Sequence, residues 1–154
     1  MVNVMLSHVV RVLMNLRSVL IPKNSTAMPS SQDTRIFIID WEFAQYGHRA
    51  YDIGQMIGDL YERKHFHGTD SPLRAIEAFI DGYRPVTEEM AFQIAIHTGI
   101  HLICWYTRRA PNSPLPFPLA QVTALMKLGR DFVVKGWEAD ANRFQQTFLA
   151  PLFR

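Results

Sequence analysis

Arg35-Ile36-Phe37-Ile38-Ile39-Asp40-Trp41-Glu42, followed by Tyr51-Asp52-Ile53-Gly54, is the stretch on which the reading of this chain turns. A short β-branched and aromatic run ending in an acid reads as a buried strand that delivers a carboxylate to its C-terminal edge. Such edges are where α/β proteins place metal and substrate ligands. Two acids flank Trp41, and a third, Asp52, opens the next helical pattern. Asp40 either caps a turn or serves as a ligand, and the residues alone leave both open.

Working outward, Ser18-Val19-Leu20-Ile21-Pro22 is the natural first strand of a hairpin whose second strand is Arg35–Ile39. Between them Lys23–Thr34, rich in Ser, Pro, Asn and Thr, reads as an exposed loop. Asp40–Ala50, with Gly47, is an irregular segment suited to a site loop. Beyond it the apolar period becomes helical. Ile53, Met56, Ile57, Leu60 and Tyr61 predict an amphipathic helix over Tyr51–Lys64. Pro72 suits the first turn of a second helix that carries Leu73, Ile76, Phe79 and Ile80 to Gly82. Thr87-Glu88-Glu89 starts a third, with acids at its positive end and Arg108 and Arg109 at its negative end. Ala110–Pro118 holds four prolines and is a loop. A last helix over Leu119–Ala141 precedes a tail with Phe144, Phe148, Leu149 and Phe153. The expected fold is α+β, mostly α: one β-hairpin, then a helical array, within a single domain spanning 1–154.

Composition bounds the function. The chain has 154 residues, enough for one sizeable core, and 48% apolar content excludes a disordered class. A net charge of +2 with no basic stripe argues against nucleic-acid binding. No apolar run reaches membrane-span length. The single Cys104 excludes an intramolecular disulfide and fits a reducing compartment, hence a cytoplasmic expectation. Residues 1–32 lack acids but hold Arg11, Arg17 and Lys23, a composition shared with mitochondrial transit peptides. A buried helix and strand is the preferred reading there, because Val19–Ile21 are needed in the hairpin.

Residues 35–64 together resemble the aminoglycoside phosphotransferase and choline kinase superfamily, whose fold is protein-kinase-like. Asp52-Ile53-Gly54 with Gly47 is also similar to its methylthioribose kinase branch. The resemblance implies the large lobe of a kinase-like fold and an ATP-dependent small-molecule kinase acting on a hydroxyl or amino acceptor. It implies that Asp40 holds Mg²⁺ bridging the nucleotide phosphates, a task for a hard oxygen ligand. Glu42 becomes an outer-shell metal contact and Asp52 the structural anchor of the catalytic loop.

The chain departs from that pattern upstream. The family's His-Gly-Asp loop, with Asn four residues on, is missing. Counting back from the hairpin, Ser18 takes the place of the Asn and Leu13 that of the catalytic Asp, and His8 is the nearest His. No Gly-rich phosphate loop or following Lys occurs either. No catalytic residue is therefore assigned. The chain reads as a truncated C-terminal lobe, atypical over 1–34, inactive by itself and with doubtful hold on Mg²⁺ and ATP. The alternative is a non-catalytic, pseudokinase-like interaction module that meets a protein partner, or a second copy, through the uncovered lobe face around Val9–Leu20 and the Asp40 loop.

Other clusters have simpler readings. His97 and His101 stand at i, i+4, a metal-pair spacing, yet Thr98 replaces the Glu of a metalloprotease helix. With His65 and His67 a four-His zinc site is conceivable, although no carboxylate is evident beside it and packing histidines explain the spacing. Cys104, one turn past His101 among apolar residues, is read as a core cysteine over a Cys–His nucleophile. Arg108, Arg109, Lys127 and Arg130 offer an anion site or, preferably, solvated helix ends.

Overall fold

The computed structural model describes residues 4–5, 45–107 and 116–154. The chain divides into two compact units, Met1–Gly47 and His48–Arg154. In the first, β1 (Val4–Met5) pairs antiparallel with β2 (Gln45–Tyr46), Val4 opposite Tyr46 and Met5 opposite Gln45.

That two-residue pairing corrects the α+β expectation. It is not the hairpin of Ser18–Pro22 and Arg35–Ile39, both of which lie outside the described residues. The described residues are otherwise helices and their connections. The physical reason is the period: from residue 49 onward apolar residues recur every three to four positions, and no stretch alternates as a sheet requires.

The second unit holds α1 (Arg49–His67), α2 (Ser71–Gly82), α3 (Glu88–Thr107) and α4 (Leu119–Trp137), then two 3₁₀ turns, Ala141–Phe144 and Ala150–Phe153. Each helix lies within a few residues of its sequence expectation. Buried Ala50, Ile53, Ile57 and Leu60 line α1 at helical spacing. Its last turn carries Lys64, His65 and His67, which complement the negative end of the dipole. Pro72 sits in the first turn of α2, where its missing N–H costs nothing. Thr87 caps α3: its Oγ1 accepts from the Met90 N–H at 3.2 Å, as an N-cap hydroxyl does.

The central element is α3, with α1 packed on one side and α4 on the other, while α2 packs on α1. Its Met90, Ala91, Phe92, Ile94, Ala95, Thr98, His101 and Leu102 are all buried. A helix buried on more than one face has no single apolar stripe, and α3 accordingly is apolar around most of its circumference. The α3–α4 crossing depends on Gly99 and Gly129. A Cβ at Gly129 would lie 2.7 Å from the Gly99 carbonyl oxygen, so the two backbones touch where any side chain would separate them. The crossing explains a glycine in the interior of α4, where it costs helix propensity.

Over this three-helix layer the tail folds back. Phe144 and Leu149 are fully buried, Phe144 stacks on Phe153 at 4.8 Å and Phe148 stacks on Tyr61 at 3.9 Å. Arg84 fastens the end of the chain, donating from Nη1 to the Arg154 carbonyl at 2.9 Å and from Nη2 to the Pro151 carbonyl at 2.6 Å. The aromatic tail is thus core. Each fully buried Phe, Leu or Ile side chain contributes about 1.5–3 kcal/mol.

Candidate functional site

Asp40 and Glu42 lie outside the described residues, as do His8, Leu13, Ser18, Arg108, Arg109 and the face around Val9–Leu20. Lys127 and Arg130 are exposed on α4. Asp52 is described. It stands in the first turn of α1 and is only 5% exposed. An acid there lies at the positive end of the helix dipole, which offsets part of the cost of burying a charge. Its negative field reaches Tyr83, whose hydroxyl is pushed up first by burial and then by Asp52, with Arg49 opposing.

On the facing surface of α3 the two histidines have separate fates. His97 meets Tyr51 edge-on, ring centroids 5.4 Å apart and planes at 79°. Burial, then the neighbouring His48, holds the His97 imidazole below the ordinary histidine range. His101, one turn further along, is 6% exposed and points between two acids of α1. Its Nε2 lies 3.0 Å from Asp59 Oδ1 and 3.7 Å from Glu62 Oε1. Ligand atoms of the three residues all fall within 4.8 Å of one another. Gly58 makes the arrangement fit: a Cβ there would sit 2.5 Å from His101 Cδ2, so only a glycine lets the ring lie against α1.

The other histidines do not join. His65 Nε2 lies 2.9 Å from the Gln121 carbonyl oxygen, and His67 meets Phe117 edge-on. The imagined four-His cluster is therefore not assembled. Cys104 is half-buried, and the imidazole one turn before it faces the carboxylates of α1. Sequence reading missed Asp59 and Glu62. The signal was present in their i, i+3 spacing beside Gly58 on a helix with a buried stripe, which puts both acids at the edge of that stripe.

The chain is similar over most of its length to proteins named as phosphotransferases and kinases. It is 34% identical to the phosphotransferase FrzJ of a Cladobotryum species over 137 residues, 89% of this chain and 34% of that protein. It is 30% identical to the 4-hydroxytryptamine kinase of Psilocybe cyanescens over 71% of this chain and 28% of the kinase. The 4-hydroxytryptamine kinase of Psilocybe cubensis matches at 26% over 46% of this chain and 20% of its own. The chain thus spans about a third or less of these relatives. No protein-family model matches it, and no solved structure does so significantly. No helix among the described residues is long and apolar enough to cross a membrane.

Proposed function

We propose that these residues are the C-terminal part of an ATP-dependent small-molecule kinase of the aminoglycoside phosphotransferase and choline kinase superfamily. The observation that carries the reading is the similarity to a phosphotransferase across 137 residues, 89% of the chain, a span too long to leave out the segment from Asp40 to Asp52. Asp40 would hold the Mg²⁺ that neutralises the nucleotide phosphates, Glu42 would contact that ion from the outer shell, and Asp52 would anchor the catalytic loop. Burial of Asp52 in the first turn of α1 supports the anchoring role, because a carboxylate enclosed there is held in one orientation.

Phosphoryl transfer needs a base or positioning group, a metal clamp and a cover for the phosphates. These residues supply the clamp and its supports, and do not transfer phosphate alone. Since two relatives are named 4-hydroxytryptamine kinases, the acceptor is a small hydroxyl-bearing amine, and its hydroxyl attacks the γ-phosphorus, losing its proton to solvent or a base as the bond to ADP breaks. The test captures the protein from its source with an antibody against residues 137–154 and follows ADP release on a panel of hydroxyl- and amine-bearing aromatics. Release that requires both Mg²⁺ and one acceptor is expected. Release with no acceptor on the panel above the acceptor-free rate counts against the reading.

A further inference from the structure

We infer that Asp59, Glu62 and His101 form a divalent-cation site of the zinc type, bracing α1 against α3. Three observations converge on it. The ligand set is one imidazole and two carboxylates, a combination suited to a borderline ion such as Zn²⁺. The spacing fits as well. Nitrogen and oxygen ligands at zinc distances lie about 3.4 Å apart at tetrahedral angles, and Nε2 lies 3.0 and 3.7 Å from the two carboxylate oxygens.

The third observation is how His101 is held. Its Nε2 is buried and makes no hydrogen bond, although Asp59 Oδ1 lies within hydrogen-bond distance. The carboxylate therefore stands off the N–H direction. An imidazole placed by a glycine hole, aimed between two acids without bonding either, is arranged around a shared point. The three ligands leave a coordination position for water, and the partly exposed Asp59 marks the way in. Because α1 and α3 each contribute, the ion ties the helices across their interface, and its binding free energy adds to folding.

The test uses the full 154-residue chain, freed of metal with a chelator and titrated with Co²⁺ as a spectroscopic stand-in for Zn²⁺. One Co²⁺ per chain with visible d–d bands is expected, and Zn²⁺ at a hundredfold excess over its dissociation constant raises Tm by roughly 5–10 °C. Asp59→Asn and His101→Gln each weaken binding at least tenfold, while His97→Gln and Cys104→Ser leave it unchanged. Asp59→Asn is isosteric and partly exposed, so it decides the matter should His101→Gln fail to fold. Failure of the unmutated chain to take up either ion overturns the inference, as does equal uptake by Asp59→Asn or loss with Cys104→Ser. Neither result bears on phosphate transfer, which rests on Asp40.

Discussion

Helix α3 presents two interfaces of opposite character. Toward α4 it is apolar and as close as backbones allow: Gly99 meets Gly129, with Leu102, Leu125 and Phe132 fully buried nearby in the core. Toward α1 it is polar, with His97 against Tyr51 and His101 between Asp59 and Glu62. Both interfaces use glycine for close approach, but to different ends. Between α3 and α4 the glycines bring backbone to backbone, which serves packing. Between α1 and α3 Gly58 brings an imidazole to a pair of acids, which costs desolvation.

The largest effect is expected at the apolar interface. Gly129→Val places branched carbons against the Gly99 backbone, the Leu102 Cβ and the Ile103 Cγ1, with nothing soft to yield. Destabilisation of about 3 kcal/mol or more is expected from such overpacking, read from urea unfolding midpoints. Phe132→Ala, which empties a fully buried site, is expected to cost about 3–5 kcal/mol by the same measurement. A loss below 1 kcal/mol from both would mean that α3 and α4 are not packed as described.

At the polar interface the effects are smaller and more particular. Gly58→Ala gains roughly 1 kcal/mol of helix propensity but drives a methyl into the His101 ring, for a net loss of about 1–2 kcal/mol. A net gain would show that the ring can move away and that the hole has no function.

The His97 face predicts a pH dependence. Burial holds the folded imidazole below its ordinary value of 6.5, so the unfolded chain takes up the proton first. This contribution is intact above that value and is lost as pH falls through the depressed folded value. His97→Gln should flatten the acid side of the stability profile while leaving the neutral plateau in place. Last, the exposed pair Lys64–Asp70 is short at 2.5 Å, and the hydrogen bond from Lys64 holds the Asp70 carboxyl below the usual range. It is nonetheless open to solvent, and Asp70→Asn should leave the unfolding midpoint where it was.

The same contrast explains what could be read in advance. Helices with a one-sided stripe or a start signal were legible: Ile53, Ile57 and Leu60 marked α1, Pro72 marked α2 and Thr87 marked α3. The glycine crossing was not, because a helical glycine carries no sign of the helix it will meet. The acids at 59 and 62 were not either. An acid at the edge of an apolar stripe looks solvated until the facing residue is known, and that residue, His101, lies on a different helix. The pairing of Val4–Met5 with Gln45–Tyr46 was not legible for another reason: two residues are too few to show an alternating period. Asp52 was legible as an acid opening a helix, and its burial is what the sequence could not supply.

The phosphotransferase reading itself turns on Asp40. The most direct measurement is Mg²⁺- and acceptor-dependent ADP release by the protein captured from its source, compared between the natural sequence and Asp40→Asn, with Asp59→Asn alongside. A fall on the order of 10²-fold or more for Asp40→Asn, with Asp59→Asn near the natural rate, is the predicted result. Turnover undiminished by Asp40→Asn would contradict the assignment of the metal ligand and, with it, the account of what this chain does.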